Sequence, residues 1–177
     1  MRMLRAALLH ADTYEEVEAD KRSIRQATLV VFAACIAVGV ARYVQASAAG
    51  FSANPLVLQV TLSVIEPLLL WTGASAFCFM VGATFFRGPE TETDFAEVLR
   101  TTGFAFTPAL LRIFAVVPGT PGLGIDLAAR VWAFLAFVVA VRQALDFTTA
   151  RAFGTVSIAS MLLWLLLWGL SVAPLPF

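Results

Sequence analysis

The chain has 177 residues, of which 60% are hydrophobic and 14% charged, and its mean hydropathy is +0.85. So few charges cannot cover the apolar surface of a soluble domain of this length, so the solvent for most of the chain is lipid. Twelve Lys and Arg balance twelve Asp and Glu, which argues against a nucleic-acid-binding role, since that needs a basic face.

Residues 1–10 bring Met1, Met3, Leu4, Ala7 and Leu8 together beside Arg2 and Arg5. That pattern predicts a short amphipathic helix on the membrane surface, its bases toward anionic lipid. Two overlapping capping boxes follow, Asp12 with Glu15 and Thr13 with Glu16. Glu18 stands one turn before Lys21 and Arg22. The spacing predicts that the helix starting at these boxes runs unbroken into a first span near 27–46, with 1–25 the cytoplasmic helix. A cleaved leader does not fit. The stretch before the apolar run holds five acids, Asp12, Glu15, Glu16, Glu18 and Asp20, against five bases, whereas a signal n-region is short and net positive.

Four more apolar segments follow, near 57–84, 98–117, 124–145 and 153–173, each long enough to span. Pro67 and Pro108 should kink the second and third spans. Gly73, Ala76 and Gly82 permit close helix approach. Asp94 and Glu97 form another capping box before the third span, and Pro118-Gly119-Thr120-Pro121-Gly122-Leu123-Gly124 reads as a tight turn. The connections leave no room for a second domain. The fold class is therefore an all-α membrane protein, a single five-transmembrane-helix bundle over 1–177.

Charge distribution orients it. With the N-terminus inside, the cytoplasmic side receives Arg2, Arg5, Lys21, Arg22, Arg25, Arg87, Arg100, Arg142 and Arg151, and the outer connections receive no base. The positive-inside rule then puts the C-terminus outside. Three arginines remain, Arg42, Arg112 and Arg130. They fall at one level in the outer third of their spans, with Glu66 and Asp126 at similar depth. A charge at the centre of a bilayer costs about 2.5–3.5 kcal/mol on insertion scales, so such groups pair or snorkel. Two readings stand. The cluster is either an ion-paired clamp centred on Glu66, or an anion or lipid-headgroup site with one base to spare.

Catalytic chemistry finds little support. There is no HExxH, no GxSxG and no histidine within a span. One histidine, His10, and two cysteines without CxxC spacing, Cys35 and Cys78, are too few for a zinc site. No cofactor is implied, and the chain reads as a non-enzyme.

The order of several loose motifs resembles the Yip-domain family, small multi-span proteins named for interacting with Ypt/Rab GTPases. The resemblance rests on Thr13-Tyr14-Glu15-Glu16-Val17 with Asp20 and Gln26-Ala27, then Trp71 and Gly82, and Asp94-Phe95 through Arg100. Gly103-Phe104-Ala105 with Pro108, Trp132, and Ala140-Val141-Arg142-Gln143-Ala144-Leu145 complete it. It implies a five-helix membrane bundle with a cytoplasmic N-terminus. The chain lacks the long N-terminal region and the Asp-Leu-Tyr-Gly-Pro motif of the eukaryotic members, so their GTPase binding is not carried over. It is similar instead to the short prokaryotic members, which implies a bacterial inner membrane.

Two functions follow as expectations. The first is a non-enzymatic protein of membrane organisation or trafficking type, acting through membrane lipids, a membrane-protein partner or a second copy. Its contact surface would be the cytoplasmic face of Asp20, Arg100, Arg142, Gln143, Asp146 and Arg151. The second is a small-solute, anion or lipid transporter using Arg42, Glu66, Arg112 and Arg130.

Overall fold

The computed structural model describes residues 2–48, 50, 56–86, 94–117 and 119–172; the side chains of 56–63, 66 and 170–172 fall outside the description. The described residues form seven α-helices and one 3-10 helix. Two short helices, α1 (Arg2–Ala7) and α2 (Ala11–Ala19), precede α3 (Ser23–Ala48) and α4 (Leu56–Phe85). Then come α5 (Phe95–Phe104), the 3-10 helix Thr107–Val116, α6 (Thr120–Ala144) and α7 (Thr149–Val172). Among the described residues, four stretches are long and apolar enough to cross a membrane: Ser23–Ala48, Pro67–Phe85, Thr120–Ala144 and Thr149–Gly169.

Side-chain size is sorted in the sense expected for lipid. On α3 the buried face is small, with Ala27, Ala34, Ala37 and Ala41, while Leu29, Phe32, Ile36, Val40 and Val44 form an exposed stripe at helical spacing. On α7, Met161, Trp164, Leu165 and Trp168 are all exposed. Small residues let backbones approach, and large apolar ones cost nothing against acyl chains.

A short first helix and a fresh start after it are present as expected, but the run from there into the first span is not continuous. The chain turns back at Leu9, which takes a positive φ of 62°, so α1 folds against α2 as a hairpin. The Tyr14 hydroxyl donates to the Ala6 carbonyl at 3.0 Å. A second break falls at Asp20, whose backbone is extended and whose carboxylate accepts from the Arg22 amide at 3.0 Å. A short acidic side chain that bonds its own backbone competes with helix, and here it ends one. Neither predicted capping box forms. The α2 N-cap is His10, without a side-chain cap, because Glu15 and Glu16 are drawn to Gln143 and Arg2 instead. Glu18 has no helical turn left in which to meet Lys21 or Arg22. Arg2 pairs with Glu16 and Asp20 at 2.7 and 2.8 Å.

The third predicted span, 98–117, is not a kinked α-helix. Its capping box forms as expected, with the Asp94 carboxylate accepting from the Glu97 amide and the Glu97 carboxylate from the Asp94 amide. The α-helix then stops at Phe104 and resumes as 3-10 from Thr107. Pro108 explains where. It has no N–H to give the Phe104 carbonyl, four residues back, and its ring crowds that oxygen. The Thr107 hydroxyl supplies the missing donor to Phe104 at 2.7 Å.

This broken segment lies along α3. A Cβ on Gly103 would stand 2.7 Å from that of Ala27, and near the other end of α3 Gln45 donates to the Ala115 carbonyl at 2.6 Å. α6 starts earlier than 124, at Thr120. Gly119 makes the turn at φ 82°, and Pro121 sits in the first helical turn. Gly122 is required there, since a Cβ would come within 1.8 Å of the Val117 carbonyl oxygen. α7 likewise starts before the expected 153, at Thr149, and α4 runs through Pro67.

Candidate functional site

Two charged regions are built on this frame, at opposite ends of the bundle. The first joins the 3-10 helix to α6. Asp126 accepts from Arg112 Nε through Oδ1 and from Arg130 Nε through Oδ2, both at 2.6 Å. Arg130 and Asp126 are one helical turn apart on α6, and Arg112 reaches across. The Arg112 side chain is 11% exposed and that of Arg130 55%. Arg42, half-buried on α3, lies within electrostatic range of Arg112. The Glu66 side chain, expected at the centre of this cluster, lies outside the described residues. Among those described, Asp126 is the hub.

Beside this pair runs a groove of about 270 Å³ between α4, the 3-10 helix, α6 and α7. Phe106, Phe134, Phe137, Val156 and Leu163 line it, and Arg112 and Arg130 stand at one end. The T-shaped pair Phe106–Phe137, with centroids 6.5 Å apart, ties the 3-10 helix to α6 beside it.

The second region is where the α1–α2 hairpin docks on α5 and α6. Arg100 was expected on an exposed face; it is buried, at 4% exposure. Its Nη2 donates to the Glu18 carbonyl at 2.7 Å, and Glu97 lies 3.7 Å away. Gln143 donates to the Glu15 carboxylate at 2.8 Å. Trp132, midway along α6, donates to the Ala7 carbonyl at 2.7 Å, so the hairpin tip reaches well down the bundle. Tyr14 and Val17 are fully buried in a core shared with Val31, Trp71 and Phe104.

The remaining predicted residues stay at the edge. Asp20 is held by Arg2 and by the Arg22 amide, which together keep its carboxyl below the usual carboxylate range. The Arg142 side chain reaches Thr149 at 3.5 Å, and Asp146 and Arg151 are exposed. Burial, then the charges of Asp146 and Glu97, push the Glu18 carboxyl up to about 7, with Glu15 adding and Arg100 opposing. Burial also raises the Tyr14 hydroxyl.

Sequence reasoning missed the hairpin's docking and a buried link between α4 and α5, where Trp71 donates to Thr102 at 3.2 Å and Ser75 meets the same hydroxyl at 2.8 Å. The signal was the polar tips. An indole N–H or phenol O–H in an apolar run must find an acceptor, and Tyr14, Trp71 and Trp132 each mark a contact between elements.

Long apolar helices with small residues inside and large ones outside define a polytopic helical membrane protein. The Yip1 domain family model matches residues 7–170, nearly the whole chain, and the protein belongs to that family. No curated protein and no solved structure matches it.

Proposed function

We propose that this chain is a non-enzymatic, five-pass membrane protein that acts as a docking platform for a partner, with its N-terminal hairpin on the cytoplasmic side. The observation that carries the reading is the hairpin's attachment. Arg100 and Gln143 fix α2 to α5 and α6, and exposed Glu16, Lys21, Arg22, Asp146 and Arg151 crowd the same end. A preorganised charged face gives a partner orientation and register without an ordering cost. The charge count supports the cytoplasmic assignment, and the family's non-enzymatic character supports the rest. A photo-crosslinking residue placed at Asp146 or Arg151 in native membranes is expected to capture one recurrent protein, and the same probe at lipid-facing Leu127 is not. Lipid adducts alone at all three positions would remove the platform reading.

A second reading, transport of a small solute, an anion or a lipid, draws on the groove beside Arg112 and Arg130. A proteoliposome lipid-flip assay separates it from the first: a transporter loses activity with Arg112→Ala or Arg130→Ala, and a platform shows none to lose.

A further inference from the structure

We infer that the groove ending at Arg112 and Arg130 is a binding site for one anionic phospholipid, its phosphate on the two guanidiniums and one acyl chain along the groove. Only its outer-leaflet placement rests on the topology proposed above; the site itself needs neither functional reading, since a bound lipid can be structural or cargo.

The charges carry the first half of the argument. Arg112 and Arg130 share one carboxylate, so among the described residues this trio, two positive charges and one negative, carries a single positive charge to be met. Both bind Asp126 through Nε. Among the described residues their terminal nitrogens make no hydrogen bond, and these are the forked donors that suit a phosphate. Asp126 holds the two guanidiniums side by side, which removes most of the cost of ordering them. A phosphodiester brings one negative charge and completes the balance. A zwitterionic lipid adds an amine that the pair repels.

Shape carries the second half. The groove runs from Arg130 to Phe137, seven residues or about 10 Å along α6. Among the described residues, the one polar side chain lining it apart from the arginines is Ser160 on α7. A volume of about 270 Å³ is small for a compact drug-sized solute, whose pockets run about 300–1,000 Å³, but suits a slender chain. On the proposed topology the arginine end faces the outer leaflet, so headgroup and chain point as those of an outer-leaflet lipid do.

The full chain in detergent, titrated with phosphatidylglycerol or with phosphatidylcholine of the same acyl chains and read by native mass spectrometry, tests this. The parent is expected to retain phosphatidylglycerol preferentially. Arg130→Gln, which keeps the half-buried Arg112–Asp126 pair, should lower that preference about tenfold, the scale of one lost charge-assisted contact. Ala133→Phe, filling the groove with the charges intact, should lower retention of both lipids; should that variant fail to fold, Ser160→Phe fills it from the opposite wall. Inorganic phosphate should not displace the bound lipid. No preference in the parent, full preference in Arg130→Gln, undiminished binding in the filled groove, or displacement by phosphate alone would each overturn the assignment.

Discussion

Single residues in this bundle act by holding a partner that has no other among the described residues. Asp126 is the clearest case, because one carboxylate separates two guanidiniums. Asp126→Asn removes the counter-charge and leaves Arg112, only 11% exposed, facing Arg130. Breaking a fully buried pair from one side costs about 3–5 kcal/mol; this pair is half-buried, so Asp126→Asn is expected to cost less, about 1–3 kcal/mol. Arg130→Gln should cost about 1 kcal/mol or less, since an exposed pair contributes little. Thermal unfolding of both variants in detergent checks the order; equal losses would mean that Asp126 is not the hub. Gly103 makes a second case by absence. A Cβ there would meet Ala27 Cβ at 2.7 Å and the Trp71 ring at 3.0 Å, so even Gly103→Ala must push α5 off α3 and α4. An overpacking cost of about 1–3 kcal/mol follows, measured the same way.

Among the elements, the docked hairpin and the broken third segment are the two that respond to a small change. Four acids, Glu15, Glu18, Glu97 and Asp146, gather around buried Arg100 where α2 meets α5 and α6. Glu18 has a carboxyl raised to about 7 in the docked state and an ordinary one when the hairpin is released. The docked form therefore binds the proton more tightly. Its advantage is full below the ordinary carboxylate range and is lost as pH rises through about 7. Hydrogen-exchange protection factors for residues 11–19, corrected for intrinsic rates, should be higher at pH 5.5 than at pH 8, and Glu18→Gln should remove the difference. An unchanged profile in that variant would assign the effect to another group. Much of this element-level picture was legible in advance. The Asp94–Glu97 box stands where the spacing puts it, and the apolar runs other than 98–117 became long helices. The breaks were not legible, because they depend on tertiary partners. Glu15 and Glu16 satisfy a capping pattern on paper, yet Gln143 and Arg2 claim them in the fold. Pro108 signalled a disturbance but not its form. Only the Thr107 hydroxyl, placed under the Phe104 carbonyl, allows the chain to continue as 3-10. Pro108→Ala restores the missing N–H and should lengthen α5 toward Ala109, seen as slowed amide exchange through residues 105–109.

At the scale of the whole molecule, the open matter is whether the third segment crosses, because an odd number of passes puts the two termini on opposite sides. Length permits it. Ten α residues rise about 15 Å and ten 3-10 residues about 20 Å, together more than the ~30 Å hydrocarbon core. Contacts favour it as well. The segment meets Ala27 toward one end of α3 and Gln45 toward the other, and α6 then returns beside it, tied by Asp126 to Arg112. The cost of crossing as a broken helix is met inside the bundle: the Phe104 carbonyl has Thr107, the Ala115 carbonyl has Gln45, and irregular backbone at membrane depth is tolerated where protein covers it. A cysteine at exposed Ala96, before the segment, and one at exposed Thr120, after it, should therefore label from opposite faces of sealed vesicles. The native Cys35 and Cys78 are buried and leave a low background. Labelling of both positions from the same face would make the third segment re-entrant, return the count to four, and bring the C-terminus to the side of the N-terminal hairpin. The outer arginine level would keep its contacts in that case, but the charge count that orients the bundle would have to be drawn again, with Arg151 no longer on the same side as Arg100.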